Sequence, residues 1–187
     1  VGISVAENFG QHAFLYRNGE MIDLGTLGGS PSSATLINNR GDIAGISNLA
    51  GNTISHAFLV SDGVMIDLTP NVTEDTIAED LNKHGEVVVR SETRSFLYSN
   101  GTLTEITAPG VSSVQAFAIN DKGEVVGSAL FTGDTEVHAF LYSDGELIDL
   151  GTLSGGSSVA LDINNKGEVV GTSDGRAFLF SRTPEIP

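Results

Sequence analysis

Cysteine is absent from this 187-residue chain, and basic residues are scarce. Without cysteine, disulfide bonds, thiolate catalysis and cysteine-based zinc sites are excluded. Nine Lys and Arg against 24 Asp and Glu give a formal net charge of −15. This charge argues against nucleic acid or an anionic membrane as a partner, because both require a basic surface. No apolar run reaches the roughly 18 residues of a transmembrane helix, so we predict no transmembrane segment.

Signatures of catalysis and of cofactor binding are also missing. No serine lies in a Gly-x-Ser-x-Gly elbow, and no Gly-Lys-Ser/Thr follows the glycine pairs. The Asn-x-x-Gly turns lack the spaced oxygen ligands of a calcium loop, and basic residues lie inside them. We predict no cofactor, with calcium kept as an alternative, and we favour a binding protein over an enzyme without excluding the enzyme.

What the chain does contain is a repeat. A block close to His-Ala-Phe-Leu-Tyr-x-x-Gly-x-x-Ile-Asp-Leu recurs, and its phenylalanines are separated by 44, 38, 44 and 38 residues. The anchors are Phe14, Phe58, Phe96, Phe140 and Phe178. A period near 40 residues, with several strand-like segments in each unit, is typical of a propeller or another repeat array.

Each unit contains four segments with strand character. The first is close to Ala-x-x-Ile-Asn, the second is a short Val-rich run, the third is the Ala-Phe-Leu-Tyr segment and the fourth contains Ile-Asp-Leu. Asn-x-x-Gly follows the first segment, and Asn-Gly or Asp-Gly follows the third; both are typical of tight turns. The apolar runs are continuous, which indicates strands that are covered on both faces.

We therefore predict an all-β fold, a β-propeller of about five four-stranded blades with incomplete first and last blades. The alternative is an open arc of a longer propeller or repeat array. Residues 1–182 form a single repeat domain, and residues 183–187 form a Pro-rich tail. Residues 73–81 have some helical character but occupy a first-strand position, so we predict a strand there. The chain begins with Val1, and we expect it to be processed from a larger precursor or to be a fragment.

Connection lengths predict where recognition occurs. The link from the fourth strand to the next unit is constant, whereas the connection from the second to the third strand alternates between long and short. In an antiparallel meander these two kinds of loop lie on one face and the tight turns lie on the other. Polar loops on a rigid scaffold are common recognition sites. We predict that this face binds a protein or a glycan through Phe9, Asn52, Phe131, Asp134 and Glu136.

Two other sets of polar residues follow the repeat. The position two before each anchor is His or Arg, namely His12, His56, Arg94, His138 and Arg176. Because Arg does not bind cations, and because the hairpin register places an acidic residue beside this position, we predict pairing with a carboxylate and not a metal site.

The second set is acidic. Glu79, Asp80 and Asp162 belong to first strands, which we expect to line a central channel. They form either a solvated rim or an acidic funnel that binds a cation or a sugar, where paired carboxylates could cleave a glycoside.

These units closely resemble the HAF repeat, a bacterial extracellular repeat named for its His-Ala-Phe signature. Residues 12–16, 22–29 and 37–41 are similar to its consensus, and residues 138–156 and 163–171 match nearly as well. The third unit departs, with Arg94-Ser95-Phe96 and no Gly-Thr-Leu-Gly-Gly. The resemblance covers almost the whole chain and implies a kelch-like propeller, an extracellular or cell-surface location and no established catalytic activity.

From the residues and the resemblance together, we expect a protein of binding, adhesion or extracellular structure. This expectation includes assembly into a homo-oligomer or filament through the incomplete end blades. The alternative is a lectin-like or glycan-cleaving propeller that uses the loop face or the acidic channel.

Overall fold

The computed structural model describes residues 1–6 and 10–182 of the chain. The secondary structure of these residues consists of β-strands alone, which confirms the all-β prediction. They contain no helix that is long and apolar enough to cross a membrane.

The described residues form eighteen strands in five antiparallel sheets. The first sheet contains β1 (Gly2–Ala6), β2 (Gly10–Arg17) and β3 (Glu20–Gly25). The second contains β4 (Gly28–Ile37), β5 (Ile43–Leu49), β6 (Ser55–Ser61) and β7 (Val64–Asp67). The third contains β8 (Ile77–Leu81), β9 (Val87–Arg90), β10 (Ser95–Ser99) and β11 (Thr102–Glu105). The fourth contains β12 (Val111–Ile119), β13 (Val125–Phe131), β14 (Val137–Ser143) and β15 (Glu146–Gly151). The fifth contains β16 (Ser158–Ile163), β17 (Val169–Ser173) and β18 (Arg176–Phe180).

Each sheet is a meander in chain order, and three four-stranded sheets lie between two three-stranded ones. This arrangement confirms three complete units flanked by two partial units. Among the described residues, the first sheet has no strand of the first kind and the fifth sheet has no fourth strand. Residues 77–81 form β8, whereas residues 73–76 lie outside any strand, so the strand predicted there is shorter than expected.

The hairpins between third and fourth strands are set by their two turn residues. In the first of them Asn18 and Gly19 have φ of 54° and 87°. Equivalent pairs with positive φ at both residues are Asp62-Gly63, Asn100-Gly101 and Asp144-Gly145. Positive φ at both central residues is the requirement of a type I′ turn, so the hairpin prediction is confirmed.

Consecutive sheets pack face to face, and the first strand of each sheet lies on the preceding one. One face of each sheet carries the Ala and Leu of the repeated Ala-Phe-Leu-Tyr segment, and we call it the Ala-Leu face. The opposite, Phe-Tyr face carries the Phe and Tyr. Ala57 and Leu59 of the second sheet pack against Val87, Val89 and Phe96 of the third.

Similar clusters join the other consecutive sheets. Phe58 and Phe140 are completely buried, and burial of such a side chain contributes about 1.5–3 kcal/mol. The inner sheets are therefore covered on both faces, as the continuous apolar runs predicted.

The Asn-x-x-Gly turns lie side by side at one end of the sheets, which we call the turn face. The side-chain amide of Asn38 donates to the carbonyl of Asn82 at 3.0 Å, Asn82 donates to Asn120 at 3.0 Å, and Asn120 donates to Asn164 at 3.0 Å. Loops between second and third strands contact the sheet-to-sheet links at the other end, the loop face. There Glu136, in the loop between β13 and β14, accepts a hydrogen bond from Ser157 in the link that precedes β16. The predicted separation of turns and loops is confirmed.

Candidate binding surfaces

The histidines of the repeat are paired with carboxylates of the adjacent strand. The Nδ1 atoms of His12 and His56 lie 2.9 Å from Asp23 and Asp67, and that of His138 lies 3.0 Å from Asp149. The register behind these contacts is the predicted one, with Phe14 opposite Asp23 and Phe58 opposite Asp67.

The third unit keeps this pairing with a guanidinium. Arg94 bonds to Glu74 of the preceding link, lies 3.7 Å from Glu105 and stacks 5.3 Å from the centre of the Phe96 ring. The hydrogen bond and charge of Glu74 raise the pKa of Arg94. A contact with a carboxylate inside each complete unit therefore takes the place of the ring of metal ligands that the His pattern alone could suggest.

Hydrogen bonds also set the charge state of Asp23. Burial raises its pKa, but the backbone N–H of Gly25 and the side chain of His12 lower it, and the net pKa lies below the ordinary value. The lowered pKa favours the ionised carboxylate, which suits a hydrogen-bond acceptor and not a proton donor.

His56 is the most enclosed member of the set. Its side chain is almost completely buried, and within the described residues its Nε2 atom has no hydrogen-bond partner. Next to it, Asp75 accepts from both the amide and the hydroxyl of Ser55, at 2.7 and 2.9 Å. These two bonds lower the pKa of Asp75. Ser55 and Asp75 thus connect the second sheet to the link that precedes the third.

Asp80 joins two sheets. One carboxylate oxygen accepts the N–H of Leu81, and the other accepts the N–H of Ile119 in the first strand of the next sheet, both at 2.8 Å. Burial raises the pKa of Asp80, the two backbone bonds oppose the rise, and the negative charge of Asp162 adds to it. The carboxylate of Asp80 is therefore already engaged in a structural contact.

Glu79 lies at a bulge between Ala78 and Asp80, and a bulge changes the direction of the side chain of the extra residue. It forms an ion pair with Arg90. The same guanidinium donates to Gln115 at 2.9 Å and lies 5.9 Å from the centre of the Phe117 ring.

Asp162 occupies the position of Asp80 in the fifth sheet, and its side chain is exposed. It accepts the N–H of Ile163 at 2.8 Å. Of the three predicted channel acids, Asp80 and Asp162 lie within electrostatic range of each other, whereas Glu79 is neutralised by Arg90.

The predicted loop-face residues have separate positions. Asn52 is exposed and has φ of 57°; its N–H closes the loop after β5 onto the carbonyl of Leu49, and its side-chain oxygen accepts the N–H of Ser30 in β4 at 2.7 Å. Phe131 is half-buried against the core of the fourth sheet, with its ring centre 5.7 Å from that of His138. It therefore packs the loop, and Phe9 lies outside the described residues.

Asp134 and Glu136 are exposed in the loop between β13 and β14. The amide of Asp134 closes a turn onto the carbonyl of Phe131, and Glu136 accepts a hydrogen bond from the hydroxyl of Ser157. The loop is thereby attached to the link before the fifth sheet, while the Asp134 carboxylate projects into solvent.

A cavity at the loop face is the site that sequence reasoning missed. It lies between the second and third sheets and has a volume of about 520 Å³. It is lined by Thr53, Ile54, Thr73, Glu74, Asp75, Ile77, Arg90, Ser91 and Glu92. These residues come from a link, from two loops of different units and from the ends of β8 and β9, so no single motif of the sequence points to the cavity.

A second feature missed from the sequence joins neighbouring sheets through hydroxyl groups. Ser32, Thr76 and Ser158 stand two residues before the first-strand alanine and accept the N–H of Ala13, Ala57 and Ala139 in the preceding sheet. The interface between the third and fourth sheets reverses the arrangement. Val114 occupies this position, and Ser95, in place of the usual alanine, accepts the N–H of Ala116 and donates to the carbonyl of Val114. The paired departures at Ser95 and Val114 were the available signal.

Within the described residues, no group of three or more His, Cys, Asp or Glu side chains is arranged to hold a metal ion. No protein-family model matches the chain, and no curated protein matches it.

Proposed function

We propose that this chain is an exported, HAF-type β-propeller that acts as a rigid scaffold for binding or adhesion, and that it has no catalytic activity. The propeller is supported by the packing of first strands on consecutive sheets. It is also supported by contacts between the first strands of consecutive sheets, β4 with β8, β8 with β12 and β12 with β16, which lie together as strands do around a propeller axis.

The observation that carries the binding role is the loop-face cavity of about 520 Å³. The repeated polar residues are engaged in contacts within or between units, whereas the cavity lining comes from positions where the units differ. Loops that vary on a constant scaffold are the usual location of recognition. We place the binding site in this cavity.

A glycan is the ligand class that the lining favours. Glu92 supplies a carboxylate acceptor, and Glu74 and Asp75 each use one oxygen for Arg94 and Ser55 and have a second oxygen to offer, whereas Arg90 is paired with Glu79 and Gln115. A sugar hydroxyl can donate to such acceptors. An anionic ligand is disfavoured by the formal net charge of −15. The alternative of glycan cleavage requires a carboxyl group with a raised pKa to act as the acid. The pKa of Asp80 is raised, but its carboxyl group accepts backbone N–H groups of two sheets, which disfavours this role.

A glycan array combined with a hydrolysis screen tests this proposal. Glu92 is exposed, so Glu92→Gln changes its charge without disturbing the fold. The exposed Glu20 of β3 provides the matched control, Glu20→Gln. We expect glycan binding that Glu92→Gln weakens and Glu20→Gln leaves unchanged.

Each contrary outcome has a defined meaning. Hydrolysis of a glycan by the wild-type chain would overturn the non-catalytic role. Binding that is equally strong in both variants would place the site elsewhere, and absence of binding to any glycan would remove glycans as the ligand class.

A further inference from the structure

The Ala-Leu face of the fifth sheet is uncovered. Leu179 is 66% exposed and Val170 is 45% exposed, and Ala177 is also exposed. The equivalent residues of the inner sheets are buried, with Leu59 at 4%, Leu141 at 1%, and Val88, Val126, Ala57 and Ala139 at 0%, except that Leu97 of the third sheet is partly buried. The difference arises because each inner sheet is covered by the first strand of the sheet that follows it.

The internal interfaces define what covers such a face. In three of them a Ser or Thr hydroxyl, in the first strand or just before it, accepts the N–H of an alanine in the preceding sheet, as Thr76 does for Ala57 at 3.0 Å. The first-strand alanine two residues later is buried, which allows close approach; Ala116 and Ala160 are 0% exposed. The turn asparagine then offers its carbonyl to the asparagine side chain of the preceding sheet.

The fifth sheet carries the same groups. Asn164 donates to Glu168 of its own turn, and within the described residues its side chain has no bond to a following turn. Asp162 binds Ile163 as Asp80 binds Leu81, but no described residue donates to its second oxygen in the way that Ile119 donates to Asp80.

We propose that the face formed by β16, β17 and β18 binds a separate extended segment that has the pattern of a first strand. The segment has Ser or Thr at position 1, Ala at position 3, Ile or Leu at position 6 and Asn at position 7. Position 1 accepts from the N–H of Ala177, position 6 donates its N–H to Asp162, and the carbonyl of position 7 accepts from Asn164. Val170 and Leu179 supply the apolar contact.

The pattern distinguishes this occupant from a second copy of the chain. In the described residues the first sheet has no strand of the first kind, and the first strands of the inner sheets are paired within their own sheets. A second copy therefore has no such strand to offer while it stays folded. The negative charge of the chain further favours a segment without acidic residues.

The probe is a synthetic peptide with the sequence of residues 32–41, Ser-Ser-Ala-Thr-Leu-Ile-Asn-Asn-Arg-Gly. Calorimetric titration should show saturable binding of one peptide per chain. A control peptide with Val in place of the alanine at position 3 should bind at least about tenfold more weakly, because the larger side chain prevents close approach.

Protein variants locate the site. Leu179→Asp should abolish binding, and the exposure of Leu179 means that the fold tolerates the change. Val64→Asp, at a residue that is 61% exposed in the second sheet, should bind as the wild type does. Glu92→Gln should also leave the peptide affinity unchanged, so the result does not depend on the ligand of the loop-face cavity.

Three results would overturn the proposal. They are no saturable binding, equal affinity for the two peptides, or binding that survives Leu179→Asp. Sedimentation that shows self-association of the chain, lost in Leu179→Asp, would make a second copy the occupant and would also overturn it.

Discussion

The asparagine ladder of the turn face permits a matched test of how the sheets are joined. Asn82 makes four hydrogen bonds through its side chain. Its amide donates to the carbonyl of Asn120 at 3.0 Å and to Glu86 at 2.5 Å, and its oxygen accepts the N–H groups of His84 and Glu86. Asn164 makes the same bonds inside its own turn but, among the described residues, none to another sheet.

The two residues also differ in burial, and burial determines how much stability each is expected to contribute. Asn82 is 4% exposed, whereas Asn164 is exposed to water. A net hydrogen bond contributes about 0.5–1.5 kcal/mol, and a buried group left without a partner costs about 1–3 kcal/mol. We expect Asn82→Ala to lower the free energy of unfolding by about 2–4 kcal/mol, and Asn164→Ala to lower it by about 1 kcal/mol because water replaces the lost bonds.

Urea unfolding followed by circular dichroism measures both values, provided that the slope against denaturant is unchanged. In thermal unfolding, a chain of this size shifts by about 2–4 °C per kcal/mol, so Asn82→Ala should melt roughly 5–15 °C lower. Asn39→Ala, at an exposed turn residue, should stay within about 0.5 kcal/mol of the wild type. Equal losses for Asn82→Ala and Asn164→Ala would refute the idea that the ladder couples neighbouring sheets.

Three other predictions concern contacts between strands and the response to acid. Ser158→Ala should cost about 1–3 kcal/mol in thermal unfolding because its buried hydroxyl bridges two backbone groups of the fourth sheet; the exposed Ser112→Ala should be near neutral, and equal effects would contradict the bridge. Gly127→Ala should be destabilised by about 3 kcal/mol or more, since its Cβ would lie 2.0 Å from the carbonyl oxygen of Gln115; a melting temperature equal to that of the wild type would show that the strands can separate. The pKa of Asp75 is lowered, so its stabilisation is present above its ordinary pKa and is lost as the pH falls further. Urea midpoints at about pH 7 and about pH 3 should therefore differ less for Asp75→Asn than for the wild type, and an unchanged difference would exclude this contribution.

Features that depend on neighbouring residues were predictable from the sequence. The Asn-Gly and Asp-Gly turns require positive φ at particular residues, and each turn fixes the register of its hairpin. That register is why the pairing of His12 with Asp23 followed from spacing alone. The strand at residues 73–81 was predicted too long because the strand pattern does not mark where the link ends.

Features that depend on two different units were not predictable. Asp80 was expected to line a solvated channel, but its carboxylate accepts the N–H of Ile119 from the next sheet. The loop-face cavity is likewise lined by residues of two units. In both cases the residues that meet are distant along the chain, so no local spacing indicates the contact.

The repeating unit was predictable from the residues alone: five repeats, four strand positions, the tight turns, the carboxylate pairing and the partial units. These follow from backbone conformational preference and hairpin register, which act over a few residues. Which surfaces remain available depends instead on how the sheets are packed. The loop-face cavity and the uncovered face of Val170 and Leu179 exist because of how whole sheets pack, and burial is a property of that packing and not of any one segment.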